Sequence, residues 1–139
     1  PRWGAALPAL RRTLDHLITG GAPLPPALRT ACAADGVAVR DRYGLTEVGP
    51  NCFAGDAALA AAHPDAVGVP IAFLEARVAD ADDRPVPDGT LGELQLRGPQ
   101  AFAGYFGRPA ETAAAFTADG FVRTGDLVTR DGAGGAYRV

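Results

Sequence analysis

The stretch His16-Leu17-Ile18-Thr19-Gly20-Gly21-Ala22-Pro23-Leu24-Pro25-Pro26-Ala27-Leu28, followed by Ala31-Cys32 and Gly36-Val37-Ala38-Val39, decides the fold. His16–Thr19 reads as a short apolar strand that stops at a glycine pair. Pro25 and Pro26 stand where a first helical turn tolerates proline. Leu28, Ala31 and Cys32 share one face and Gly36 supplies the stop, so the middle is a short amphipathic helix. Val37–Val39 then rises as a second strand toward Tyr43-Gly44. Strand, turn, helix and strand are the local grammar of a parallel α/β sheet, with its turns at one sheet edge. Upstream, Ala5–Leu14 carries helical spacing.

Beyond about Asp65 the period changes. Leu74–Ala79 and Leu91–Arg97 alternate like half-buried strands, and the polar run from Asp82 to Gly89 joins them as a hairpin. Pro109–Phe116 reads as a second short helix that ends near Gly120, and Gly132–Val139 as another hairpin. The expected class is therefore α/β, with a partial parallel α/β unit over residues 1–60 and a β-rich subdomain over 61–139. The change of period falls near residues 56–66.

Composition narrows the function. With 139 residues, 47% of them hydrophobic, the chain can pack a core. Sixteen acidic against 13 basic residues give a net charge of −3 with no basic run, which argues against nucleic acid or an anionic membrane as partner and toward small-molecule chemistry. No apolar stretch approaches the ~20 residues that span a bilayer and the amino end lacks a signal-peptide pattern, so the cytoplasm is the expected compartment. Cys32 and Cys52 have neither metal-ligand spacing nor scaffold density and read as buried thiols, and His16 and His63 have no second histidine at ligand spacing. All 13 basic residues are arginine; there is no lysine, and no methionine.

Two stretches carry chemistry. Tyr43-Gly44-Leu45-Thr46-Glu47 follows a strand and suits a nucleotide: the ring can stack on a purine, glycine lets a ligand approach the backbone, the hydroxyl can donate to a phosphate oxygen and the carboxylate can hold Mg²⁺. Its bland alternative is a strand end and an ordinary turn. Gly120-Phe121-Val122-Arg123-Thr124-Gly125-Asp126-Leu127 pairs a glycine turn with a short carboxylate able to accept from ribose hydroxyls; the alternative there is a simple Gly-Asp turn. Between them, Gly92-Glu93-Leu94, Gly104-Tyr105 and Pro109–Thr112 read as a strand, a turn and a capped helix that demand no catalysis.

Taken in order, Gly20–Leu24, Tyr43–Glu47, Gly92-Glu93-Leu94, Gly104-Tyr105 and Arg123-Thr124-Gly125-Asp126-Leu127 resemble the adenylate-forming superfamily of acyl-CoA synthetases, peptide-synthetase adenylation domains and luciferases. The resemblance runs over nearly the whole chain. It implies an internal piece of the large amino-terminal domain, the second half being antiparallel and barrel-like. It implies that Gly21 and Ala22 border the adenine, that Asp41 contacts it and that Tyr43 packs on it. Thr46 would touch the α-phosphate, Glu47 bind Mg²⁺ and Asp126 grip the ribose, with Thr46 and Glu47 serving catalysis. Gly44, Leu45, Val48 and Gly49 would line the channel for the acid.

The reaction so implied joins a carboxylate to the α-phosphorus of Mg-ATP, expels pyrophosphate and passes the acyl group to the thiol of coenzyme A. The uncharged run Val48–Phe53 suits a neutral acyl chain. A peptide-synthetase adenylation domain is the alternative, and a non-catalytic remnant or scaffold piece is the alternative of another class. The resemblance also places essential lysines in a pyrophosphate loop and in a mobile carboxy-terminal domain. The chain has none, so it is expected to be inactive alone.

Overall fold

The computed structural model describes residues 14, 16–22, 24–55, 57–63, 66–132 and 135–139. The helical spacing of Ala5–Leu14 lies outside these residues apart from Leu14.

The leading α/β unit forms as its sequence requires. Strand β1 (His16–Gly20) runs parallel to β2 (Ala38–Leu45), with Ile18 opposite Arg40 and Gly20 opposite Arg42. Helix α1 (Pro26–Ala34) joins them, with proline in its first turn. It ends in a Schellman closure: Gly36 takes φ 72, its N–H donates to the Ala33 carbonyl at 3.0 Å, and the Val37 N–H donates to the Cys32 carbonyl at 2.9 Å. Only a left-handed residue lets both bonds form, which is why glycine stops this helix. Leu17, Leu28, Ala31 and Val39 pack around buried Cys32 and Val37 between helix and sheet.

The run after Glu47 has a structure that its residues disguise. Strand β3 (Gly49–Ala54) folds back antiparallel on β2, helix α2 (Ala57–Ala62) follows, and β4 (Val69–Pro70) completes a sheet ordered β1-β2-β3-β4. Glycine, proline and asparagine open β3, and an alanine run offers α2 no apolar period, so neither advertises itself locally. Burial decides instead, since Cys52 and Phe53 are almost wholly enclosed.

The second sheet is antiparallel, ordered β5 (Glu75–Ala79), β6 (Gly92–Arg97), β7 (Val122–Arg130) and β8 (Tyr137–Arg138). The expected β5–β6 hairpin forms, whereas the tail expected as a hairpin over Gly132–Val139 supplies, among the described residues, only the short β8, which pairs with Thr129 and Arg130 of β7; α3 (Pro109–Ala115) lies between β6 and β7. The glycine turn expected around Gly120–Leu127 is shorter than the reading of it. Gly120 turns at φ 85, but Val122 onward is a nine-residue strand, and Gly125 (φ 75) sits where the β6–β7 register shifts. A Gly-Asp turn is thus a bulge within a strand. Gln95, buried in β6, is satisfied by the Arg77 Nε–H at 2.8 Å and by the Asp83 carboxylate at 2.7 Å.

The two sheets share one core. Phe53 of β3 meets the rings of Tyr43 and Tyr137 edge-on at 5.5 and 5.1 Å, among Val48, Leu94, Leu96, Val122 and Val128. Backbone bonds from Val67 to Tyr137 and from Tyr137 to Gly68, at 2.8 and 3.0 Å, tie the linker after α2 to the last strand. This common core holds the carboxy-terminal end of β2 against β7. Both cysteines are free and buried. No described helix is long and apolar enough to cross a membrane.

Candidate active site

Tyr43 and Asp126, 83 residues apart, meet across the junction of the sheets. The Tyr43 phenol donates a hydrogen bond to Asp126 Oδ2. Burial, and next the hydrogen bond to Asp126, push the phenol well above its ordinary titration range, so it remains a neutral donor. The bulge sets the acceptor in place. Gly125 N–H donates to Glu93 Oε1 at 3.0 Å, Asp126 N–H donates to Thr124 Oγ1 at 3.1 Å, and the Thr124 hydroxyl donates to the Leu94 carbonyl at 2.8 Å. Glu93 and Thr124 therefore hold the Thr124–Asp126 backbone against β6.

Thr46 and Glu47 occupy the turn between β2 and β3, closed by the Val48 N–H donating to the Leu45 carbonyl at 3.2 Å. Thr46 is exposed. Glu47 is fixed twice from the second sheet's side: the Phe102 N–H donates to its carbonyl at 2.7 Å, and the Tyr105 phenol donates to Oε1 at 2.6 Å. Among the described residues, Tyr105 is the only side chain hydrogen-bonded to that carboxylate. Glu47 has no cationic partner among the described residues, and a carboxylate so placed is the donor chemistry that Mg²⁺ accepts when phosphates complete its shell. Tyr105 was legible only as part of a turn, because nothing local links it to a residue 58 positions away.

The remaining candidates divide. Gly21 and Ala22 are exposed just beyond β1, and parallel pairing of Gly20 with Arg42 brings them to the edge at which Tyr43 lies. Asp41 is ion-paired to Arg29 of α1. At Gly44 the space left by the missing side chain is filled by the chain itself: a Cβ there would lie 2.6 Å from the Gly49 carbonyl oxygen and 2.7 Å from the Asn51 nitrogen. Its glycine serves the tight return of β3, where the sequence suggested room for a ligand. Leu45 packs half-buried against the core and Val48 is 1% exposed within it, while Gly49 turns the chain at φ 84.

Two open hollows among the described residues lie elsewhere. A groove of about 650 Å³ runs between β2 and α2, lined by Arg40, Arg42, Ala54 and Leu59, and includes none of the candidate residues. A cleft of about 70 Å³ takes in Asp41 with Arg29 and His63 but not Tyr43, Thr46, Glu47 or Asp126. Tyr43, Thr46, Glu47 and Asp126 lie outside both hollows, near the junction of the two sheets. Among the described residues no group of three or more His, Cys, Asp or Glu side chains could hold a metal, so a cation at Glu47 would depend on ligand oxygens.

A family profile described as AMP-binding enzyme matches residues 4–106. The chain belongs to this AMP-binding family. It is 39% identical over 134 residues to a feruloyl-CoA synthase of Amycolatopsis sp, covering 96% of the chain and 26% of that protein. It is 40% identical over 134 residues to a long-chain-fatty-acid–CoA ligase of Thermus thermophilus, covering 86% of the chain and 24% of the relative. The chain therefore spans about a quarter of the length of these curated relatives. The o-succinylbenzoate coenzyme A synthetase of Bacillus subtilis, solved in complex with ATP and magnesium ion, superposes with a TM-score of 0.80 at 25% identity, over 97% of the chain and 29% of that structure. The AMP-binding chain thus has the fold expected of the adenylate-forming resemblance, with both sheets in place.

Proposed function

We propose that this chain supplies part of the nucleotide site of an ATP-dependent acid–thiol ligase, which forms an acyl-adenylate and then an acyl-CoA thioester. The observation that carries the reading is the meeting of Tyr43 with Asp126, since a purine-stacking ring and a ribose-binding carboxylate are useful to one nucleotide only when adjacent. The named relatives, a feruloyl-CoA synthase and a long-chain-fatty-acid–CoA ligase, support the coenzyme A branch and a neutral acyl substrate.

In this reading Gly21, Ala22 and Asp41 border the adenine and Tyr43 packs on it. Asp126 accepts from the ribose hydroxyls with the oxygen that Tyr43 leaves open. Thr46, exposed on its turn, donates to an α-phosphate oxygen, and Glu47 is the carboxylate offered to Mg²⁺. Bound Mg²⁺ would draw off phosphate charge as two anions approach. Gly44, Leu45 and Gly49 contribute backbone to the acid channel, with Val48 supporting it from the core. The chain has no lysine to pair with pyrophosphate or with the leaving oxygen, so we assign catalysis to the longer protein of which these residues are one part.

Titrating ATP into the purified chain by calorimetry tests the site. Asp126→Ala should weaken binding about tenfold, the equivalent of one lost charge-assisted hydrogen bond of ~1.4 kcal/mol. Absence of ATP binding by the unmodified chain, or an affinity indifferent to Asp126→Ala, would refute the assignment.

A further inference from the structure

The contact between Tyr105 and Glu47 is built with more care than a chance surface pair. Tyr105 lies in the loop before α3, and its own N–H donates to Thr112 Oγ1 at 2.9 Å, while the Thr112 hydroxyl donates to the Arg108 carbonyl at 2.8 Å. Gly104 adopts φ 141 directly against Thr112, where a Cβ would stand 2.5 Å from Thr112 Cγ2. The loop can therefore approach the helix this closely only with glycine before Tyr105. Phe102 meets Tyr105 edge-on at 4.9 Å and stacks on Phe116 at 5.4 Å, so the aromatic pair is anchored in the core edge. The same loop grips the Glu47 backbone through the Phe102 N–H. Two bonds from one braced loop thus fix both the main chain and the carboxylate of a residue on a turn tip.

The chemistry of the donor matters. An arginine at this place would neutralise Glu47 and fork across both of its oxygens. A phenol donates one hydrogen bond, fixes one oxygen and, being neutral, leaves the net negative charge of the carboxylate in place. Carboxylates that bind metals need such partners to set their orientation. We propose that Tyr105 is a positioning residue for a divalent cation: its hydroxyl holds Glu47 by Oε1 and so presents Oε2, unbonded among the described residues, to the metal. The inference rests on the assignment of Glu47 to Mg²⁺ above and adds a residue outside the nucleotide-contacting set.

Manganese is the probe, because a paramagnetic ion broadens the amide signals near it without requiring turnover; ATP is present throughout, to supply the phosphate oxygens that complete its shell. Titrated into the ¹⁵N-labelled chain, Mn²⁺ should broaden the signals of residues 46–48 and 102–105. Tyr105→Phe keeps the ring against Phe102 and removes only the hydroxyl, and should require about tenfold more Mn²⁺ for the same broadening, the lower end of the effect of removing a partner of a metal ligand. Phe106→Ala, at an adjacent, fully exposed side chain, should respond like the unmodified chain. The dispersion of the spectra shows that each variant is folded. Equal Mn²⁺ responses of Tyr105→Phe and the unmodified chain, with both broadened at Glu47, overturn the role of Tyr105 and leave Glu47 standing. Equal loss in Phe106→Ala also overturns it, since loop order and not the hydroxyl would then be responsible. No broadening at residues 46–48 in any form removes Glu47 as a metal ligand and the inference with it, while the ATP titration of Asp126→Ala still judges the nucleotide site separately.

Discussion

Replacing Tyr43 by Phe and Asp126 by Ala, singly and together, measures the bond on which the candidate site depends. A hydrogen bond to a charged acceptor contributes about 1.5–3 kcal/mol. The Tyr43 ring is half-buried against Phe53, whereas Asp126 keeps partial access to water, and that screening favours the lower limit, about 1.5 kcal/mol. With a urea dependence near ~2 kcal/mol per molar for a domain of this size, Tyr43→Phe should lower the unfolding midpoint by roughly 0.7 M. Asp126→Ala should cost somewhat more, because it strands a partly desolvated hydroxyl and leaves the bulge residue without its side chain. The double variant should fall short of the sum by about 1.5 kcal/mol. The assay is urea unfolding followed by far-ultraviolet circular dichroism, with the slope checked to be common to all four proteins. A coupling below ~0.5 kcal/mol, the usual scatter for independent sites, would refute the claim that the sheets are joined through this pair.

Two further predictions concern the whole chain. Tyr43, Tyr137 and Cys52 share one core, and burial is the first cause of a raised pKa in each; the Cys52 thiol is pushed up from 9.0 to about 11. Their folded values exceed their unfolded ones, so the stability they lend is complete below the unfolded values. It is lost as the pH rises and the unfolded chain releases protons first. The urea midpoint should therefore fall steadily between about pH 9 and 11, and a flat profile over that window would contradict the buried, neutral placement of these groups. The purified chain should also release no pyrophosphate from ATP with any carboxylic acid supplied; release above a protein-free blank would show that its arginines replace the lysines the reaction is held to need.

The first α/β unit was legible because all its signals are local. Prolines in a first turn, an apolar face of Leu28, Ala31 and Cys32, and a glycine at the left-handed stop act within a few residues, and α1 begins and ends where they stand. The β5–β6 hairpin was readable from alternation for the same reason. Strand β3 was not, since its first residues are turn formers and only enclosure of Cys52 and Phe53 by the second sheet makes it a strand. Gly44 taught the converse: the type of residue was informative and its purpose was not, because the atoms that exclude a side chain belong to Gly49 and Asn51.

By itself the sequence determined the first α/β unit, the β5–β6 hairpin, the family resemblance, and a short set of groups able to handle a nucleotide. Only the tertiary structure decided which of those groups meet. The pairing of Tyr43 with Asp126 and of Glu47 with Tyr105 spans 83 and 58 residues, and it exists because two sheets close on a common core around Phe53. Hydrogen bonds act over about 3 Å, whereas sequence patterns report on neighbours along the chain, so contacts made by folding leave no local trace in the order of residues.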